Sequence, residues 1–517
     1  MKSRTQRSAQ NVLVGLGGQA IEMVLKFVGR TIFIYCLSAE YLGVNGLFGE
    51  ILTMLSLAEL GIGSAIVFAL YKPLKNNDEK QIAALMNLYR KAYVVIGISV
   101  AVVGAALIPL LKYIIPDPGE IGNQIYPIYL FYLFNTSITY FFSYKTSLLT
   151  ADQKNFIVIS VKEICNISRT VLQSVALLIT GNFYLYLFIE SLLILANNIW
   201  ISVYVDRKYS YIKLHKNEKL DKTTKKSLWS NIRALILIKV TTLLVNSTDN
   251  TIISIYGGLV EVGLYSNYNM FIIIFTNILG QIFGNISASI GNLNAEDDKE
   301  KSMAVFRAFR MANFWLFSFV SIGIVLLMNS VIDLWIGSDY LLPISVVAVI
   351  AANFYTRGIQ NPVWIFKDTY GLFKYGKYMG IVTAVINVGL SILLGSYFGL
   401  IGILGATFIA RLFTGVWYDP YALYKHGFEK PVRRYYLELV LYTLLALAAL
   451  GVGYLAICFI PLSGWLGFIV KFVIVCIVPN LLYFIVFRKT KSYVMLKEKV
   501  VFILSGILKK RKGAKNG

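Results

Sequence analysis

The sequence predicts an all-α polytopic membrane protein with about fourteen transmembrane helices. Three observations lead there. First, 57% of the 517 residues are hydrophobic and only 15% are charged, and the mean hydropathy is +0.66. A soluble chain carries roughly 45–50% apolar and about 25% charged residues. Second, the apolar residues fall into runs of about 20 residues or more, the length needed to cross a bilayer. Third, the basic residues concentrate in every second link between those runs. Together these exclude a cytosolic enzyme, a secreted disulfide scaffold and a disordered chain.

Taken in order, the runs cover 10–37, 42–71, 92–115, 124–149, 156–180, 183–205, 229–256, 262–291, 304–328, 341–366, 375–396, 400–424, 435–460 and 464–487. The first follows a polar, basic start with Lys2, Arg4 and Arg7, and is interrupted by Glu22, Lys26 and Arg30. No small-residue cleavage site follows it, so it reads as a retained helix and not a signal peptide. The links 181–182, 397–399 and 461–463 are so short that their flanking helices must be antiparallel neighbours. The polar link 206–228 separates two halves of six runs each. The halves begin alike, Ser8-Ala9-Gln10-Asn11 against Ser227-Leu228-Trp229-Ser230-Asn231. Each then reaches a short turn, Ala39-Glu40-Tyr41-Leu42-Gly43 or Val260-Glu261-Val262-Gly263-Leu264. Six helices per half gives a parallel repeat, a design that places a substrate site between halves near the midplane. The expected organisation is an N-terminal lobe 1–205, a basic linker 206–228, a C-terminal lobe 229–424, two additional helices 425–487 and a basic tail 488–517.

The net charge is +22, from 49 Lys and Arg against 27 Asp and Glu. One alternate set of links (1–9, 72–91, 145–155, 206–233, 293–310, 367–377, 425–434 and 488–517) holds 40 of the 49. The opposite set holds one, Lys112. This asymmetry places both termini in the cytoplasm. The charge thus reports orientation, and no nucleic-acid partner is implied. Within the tail, Tyr493 to Leu508 mixes apolar residues with Lys497 and Lys499. It reads either as an amphipathic helix on anionic inner-leaflet lipids or as a solvated tail.

Eight bases fall inside runs: Lys26, Arg30, Lys162, Arg169, Lys239, Arg357, Arg411 and Lys471. A charge at the bilayer centre costs roughly 2.5–3.5 kcal/mol, so these should face a wet cavity or a carboxylate, or snorkel from a helix end. Lys26, Arg30, Arg169, Lys239, Arg357 and Arg411 are the candidates for holding an anion. Glu22, Lys26 and Arg30 share one helix face, and the alternative for them is an ion ladder to another helix. The dense polar run Val245-Asn246-Ser247-Thr248-Asp249-Asn250 suggests a helix lining water. Asn277, Gln281, Asn285 and Ser289, each four apart, make a stripe that suits either sugar contact or interhelical hydrogen bonding. Asn246, Asn250, Asn277, Gln281 and Asn285 are the sugar-contact candidates. Glu22, Glu59 and Asp249 are candidates for binding a coupling cation.

Catalytic patterns are not found. Cys36, Cys165, Cys458 and Cys476 lie in apolar runs without metal or disulfide spacing. His215 and His426 sit in basic links. No phosphate-cradling glycine loop or nucleophile motif occurs, and the short links opposite the basic ones leave no room for a polymerase or glycosyltransferase site. The expectation is a non-enzyme without cofactor or metal.

Several stretches resemble the polysaccharide-transporter family of the multidrug/oligosaccharidyl-lipid/polysaccharide exporter superfamily. They are Leu42-Gly43-Val44-Asn45-Gly46-Leu47-Phe48, Leu57-Ala58-Glu59-Leu60-Gly61-Ile62-Gly63-Ser64-Ala65 and Leu70-Tyr71-Lys72-Pro73-Leu74. Asn246-Ser247-Thr248-Asp249, Tyr265-Ser266-Asn267-Tyr268 and Ser289-Ile290-Gly291-Asn292-Leu293 extend the likeness. The resemblance covers most of residues 1–430. It implies two six-helix lobes around a central cavity plus two C-terminal helices. It implies alternating access in a bacterial cytoplasmic membrane, moving undecaprenyl-pyrophosphate-linked oligosaccharide repeat units from the inner to the outer leaflet. The destination polymer stays open among capsule, exopolysaccharide, O-antigen and a wall polymer, and the resemblance makes polysaccharide polymerase and glycosyltransferases candidate partners. Its basic cavity residues would here be Lys26, Arg30, Arg169, Lys239, Arg357 and Arg411. A cation-coupled multidrug exporter of the same superfamily is the alternative, and a membrane glycosyltransferase or polymerase is a more distant one.

Overall fold

The computed structural model describes residues 24–55, 62–215, 248–295, 298–372, 378–460 and 462–498, together with 218, 220, 375 and 376. The described residues are helical and contain no strand. Seven of their helices are long and apolar enough to cross a membrane by length and composition. The expected all-α polytopic membrane fold is borne out.

The first helix, α1, covers residues 24–36. It is followed by α2 (Ala39–Leu55), α3 (Ile62–Asn76), α4 (Glu79–Leu107), α5 (Ile125–Ala151), α6 (Asn155–Thr180) and α7 (Phe183–Lys208). The second part contains α8 (Asp249–Ala295), α9 (Lys299–Ile336), α10 (Ile344–Thr369), α11 (Met379–Phe413), α12 (Gly415–Leu423), α13 (Arg433–Cys458) and α14 (Gly464–Phe487). Local chemistry sets several ends. Asp78 Oδ1 accepts from Gln81 N at 3.0 Å to start α4, and Asp298 Oδ1 accepts from Lys301 N at 2.9 Å to start α9. Between α6 and α7 only two residues are needed. Gly181 closes α6 in the left-handed region (φ 60°) and Asn182 Oδ1 accepts from Tyr184 N at 2.8 Å.

Two of the long helices are hairpins. In α11 the break is Gly399, with φ 57°. Asn387 Nδ2 donates to Thr407 Oγ1 at 2.8 Å, and Thr383 Oγ1 to Thr414 Oγ1 at 2.8 Å. A straight helix would hold residues 387 and 407 about 30 Å apart. The chain therefore reverses at the 397–399 link, and the flanking spans are antiparallel neighbours. In α8 the break is Gly258, with φ 74°. A Cβ placed on Gly46 would lie 3.6 Å from Asn250 Nδ2 and 3.8 Å from Ser266 Cβ. One residue of α2 thus meets both arms of α8, which requires the same kind of reversal.

By packing, the chain divides into two compact units, Met1–Ser266 and Asn267–Gly517. In the first, α5 is central and packs against α2, α3, α4 and α7. Tyr89, Tyr93, Tyr140, Leu148 and Leu149 anchor its core. In the second, α9 is central and packs against α10, α13 and α14. Phe314, Tyr483, Phe487 and Ala449 form the core that joins the last two helices to it. Their other faces expose Leu437, Leu441, Leu444, Leu466, Phe472 and Ile477, an apolar surface of the kind that lipid covers. Of the expected linker 206–228, residues 221–228 lie outside the described ones, as does the run from 229 to 247.

Links of like character gather at one end of each unit. In the first, Lys145 and Lys213 pair with Asp206 at 2.7 and 3.2 Å, and Asn87 Nδ2 donates to His215 O at 3.0 Å. In the second, Lys299 pairs with Glu429 at 2.7 Å, Lys367 with Asp419 at 2.5 Å, and Tyr370 OH donates to Ser302 Oγ at 2.8 Å. These are the links rich in Lys and Arg. At the opposite end of the first unit, Ser254 Oγ donates to Ile114 O at 2.9 Å.

Candidate functional site

The first unit holds an intramembrane polar cluster on α1, α2, α5, α6, α7 and the start of α8. Its position follows from two glycines. A Cβ on Gly43 would collide with the Leu259 carbonyl, and one on Gly263 with the Ala39 carbonyl. Each glycine stands four residues after the residue that the other would strike (39 and 43, 259 and 263). The two turns compared above are thus packed backbone to backbone, in the small-residue manner of membrane helices.

Below this contact, Arg30 Nη2 donates to Ser266 Oγ. Glu50 Oε2 accepts from Asn250 N at 3.0 Å, and Asp249 acts on Glu50 electrostatically. Asn250 is buried, 4% exposed, and its Oδ1 has no hydrogen-bond partner. Further along, Arg169 Nη1 pairs with Glu190 Oε1 at 3.2 Å. Gln173 Nε2 donates to Tyr186 O at 3.0 Å and Tyr132 OH to Asn45 Oδ1 at 2.9 Å. Phe33 packs edge-on to Tyr186 and Phe183 at 5.3 and 5.9 Å, which orients the helix carrying Arg30.

The second unit carries its own cations. Arg357 is exposed on α10, and among the described residues no acidic side chain pairs with it. One turn earlier on the same helix, Asn353 O accepts from Arg411 Nη1 of α11 at 3.4 Å. Residues four apart share a helix face, so the two guanidiniums serve neighbouring turns of α10. Asn353 itself donates to Leu404 O at 2.8 Å and holds α10 against α11. On α8, Asn277 and Gln281 are both exposed, four residues apart.

A family model described as polysaccharide biosynthesis protein matches residues 8–287, more than half of the 517. The chain belongs to the polysaccharide biosynthesis protein family. No curated protein matches it significantly. Among solved structures it is similar to the lipid II flippase MurJ in an inward closed conformation. Identity is 15% and the TM-score 0.66, covering 92% of this chain and 99% of that one. It is also similar to an inward-facing multidrug resistance transporter of the MATE family and MOP superfamily. There identity is 15% and the TM-score 0.62, over 78% and 96% of the two chains. A third is a MOP superfamily transporter from Pyrococcus furiosus, at 13% identity and a TM-score of 0.52, over 83% and 98%. At such identities the likeness shows the fold. This member of the polysaccharide biosynthesis protein family is therefore a multi-pass membrane protein with the MOP transporter fold.

The site residues expected from the sequence separate into three groups in this family member. Glu22, Glu59, Lys239 and Asn246 lie outside the described residues, and Asn285 outside those whose side chains are described. Arg30, Asp249 and Asn250 come together, and Arg411 comes to the helix that carries Arg357. Lys26 is exposed on α1, while Arg169 is matched by Glu190. Asn250 is turned into the protein and away from the surface. Two acids went unassigned on the sequence. Glu190 neutralises Arg169, and Glu50 faces the start of α8. The signal for Glu50 was its position inside an apolar run, but no spacing in one sequence pairs residues 200 apart.

Proposed function

We propose that the protein is a flippase for lipid-linked oligosaccharides. It moves undecaprenyl-pyrophosphate-linked polysaccharide repeat units from the inner to the outer leaflet by alternating access. Its basic end faces the cytoplasm, as the excess of Lys and Arg there requires. Each sugar hydroxyl stripped of water costs roughly 4–8 kcal/mol in a solvent that cannot hydrogen-bond, so a repeat unit does not cross unaided. Exposed polar side chains such as Asn277 and Gln281 offer replacement hydrogen bonds. An inside-negative potential favours outward movement of a diphosphate by about 2.3 kcal/mol per charge per 100 mV.

The observation that carries this reading is Arg357, an exposed guanidinium on a membrane helix with no acidic partner among the described residues. A planar guanidinium suits bidentate recognition of a diphosphate. It would repel the cationic substrates of a multidrug exporter.

The test is a proteoliposome assay that follows the leaflet position of an undecaprenyl-pyrophosphate oligosaccharide. Protein-dependent flipping is expected, with strong loss in Arg30→Ala and Arg357→Ala. Flipping unaffected by either change would move the anion site elsewhere, first to Arg411 and Lys239. Uptake of cationic dyes without any flipping would replace the reading by the drug exporter.

A further inference from the structure

We propose that Glu50, Asp249 and Asn250 form a binding site for one monovalent cation, a proton or Na+, which favours anion binding at Arg30; the coupling, though not the site, rests on the transporter reading above. Glu50 is half-buried on α2, and Asp249 and Asn250 open α8 opposite it. The backbone N–H of Asn250 reaches Glu50 at 3.0 Å, which brings the two acids into each other's field. Like charges this close in a medium of low dielectric favour a proton or cation between them. Among the described residues no other charged group acts on Glu50.

A second observation is independent of the acids. Asn250 is 4% exposed, and its Oδ1 lacks any hydrogen-bond partner. Orphaned buried carbonyl oxygens are rare and call for an explanation. The side chain is directed at the α2 face that carries Glu50. Its Nδ2 lies 3.6 Å from where a Cβ on Gly46 would stand, and Gly46 is one turn before Glu50. Two carboxylates and an amide oxygen form a hard oxygen donor set, suited to H+ or Na+ and not to a soft metal. Access is open, because a Cβ on the adjacent Gly49 would meet nothing within 4 Å.

The site is joined to Arg30 through one short stretch of α2. Arg30 donates to Ser266, whose Cβ is 3.8 Å from the same Gly46 position. Filling the site adds a positive charge on the Arg30 side and neutralises the acids that otherwise repel an arriving anion. The direct effect of the cation is to release Arg30 from the field of the acids, and a diphosphate then competes with Ser266 alone. Linkage makes the coupling mutual, so bound anion must strengthen cation binding by the same factor.

The experiment uses the purified full chain in nanodiscs, with radioactive Na+ as the probe and infrared titration of carboxyl groups as the second readout. The wild type is expected to bind one Na+, displaced by acid. Glu50→Gln and Asp249→Asn should each weaken binding at least tenfold, and Asn250→Ala several-fold, with melting temperatures retained. If no Na+ binds, a carboxyl that titrates in the wild type and vanishes in Glu50→Gln identifies the proton as the ion. Asp249→Asn serves where Glu50→Gln does not fold. Neither signal in the wild type, or signals unchanged in folded variants, overturns the site. Adding inorganic pyrophosphate should strengthen cation binding, and weakened binding would overturn the coupling. Flipping that persists without cation binding leaves the flippase reading standing; cation binding without flipping sinks that reading and spares the site.

Discussion

Arg357 and Arg169 are the same residue type in similar helices, but their surroundings give them different work. Arg357 has no acidic partner among the described residues, so its charge is available to a ligand. We expect Arg357→Ala to lower flipping at least tenfold and Arg357→Lys to recover part of it, measured in the same proteoliposomes. Arg169 is held by Glu190 at 3.2 Å, with both side chains about a quarter to a fifth exposed (25% and 21%). A fully buried pair loses roughly 3–5 kcal/mol when one partner is removed, whereas an exposed one is worth about 0–1 kcal/mol. For this intermediate case Arg169→Met or Glu190→Gln should each cost about 2 kcal/mol, between those limits. The double variant should regain most of that, because no unpaired charge remains. Thermal unfolding of the three variants measures it, and an additive double variant would count against the pairing.

At the scale of elements, hairpins closed by glycine do most of the positioning. Gly258 and Gly399 both take positive φ, 74° and 57°, where a side chain is strained. Gly43 and Gly263 let α2 and α8 touch backbone to backbone. We expect Gly43→Leu or Gly263→Leu to separate these turns and abolish flipping while the protein still inserts. Cysteine accessibility near Ala39 would rise in step, and unchanged accessibility with normal flipping would show the contact to be dispensable. In α11 the hairpin is held by Asn387–Thr407 and Thr383–Thr414. Interhelical hydrogen bonds in membranes average about 0.6 kcal/mol with a maximum near 1.7. Asn387→Leu should therefore lower stability by about 1 kcal/mol, well below the effect of Gly402→Val, whose side chain would strike the Leu394 carbonyl.

For the whole molecule the decisive quantity is the gathering of basic links at one end of each unit. If that end is cytoplasmic, a cysteine at Lys80 or Lys430 in a background without Cys36, Cys165, Cys458 and Cys476 should be labelled only from the inside. A cysteine at Lys112 should be labelled only from the outside. A membrane-impermeant maleimide applied to intact cells and to inverted vesicles measures this, and the opposite pattern would reverse the proposed direction of transport.

Composition and run length alone determined the membrane class and the sharp reversal at 397–399, because hydrophobic length is a local property that the bilayer reads directly. The helix ends were not determined, since the helix of run 92–115 starts already at Glu79 and run 42–71 falls in Ala39–Leu55 and Ile62–Asn76. The quoted motifs led to the family for a similar reason: they are contiguous. What the residues do was decided by tertiary structure. Arg169 and Arg357 both appear as bases within apolar runs, and only packing shows that one meets Glu190. Glu50 is a single acid in a hydrophobic stretch until the α8 hairpin brings Asn250 against it. Asn250 reads as a water-facing residue in a polar run, yet the reversal at Gly258 turns it inward. Charge inside a membrane is costly to leave unmatched, and the partners that match it stand on helices far away in sequence. Their identity depends on which helices touch, which no single run of residues encodes.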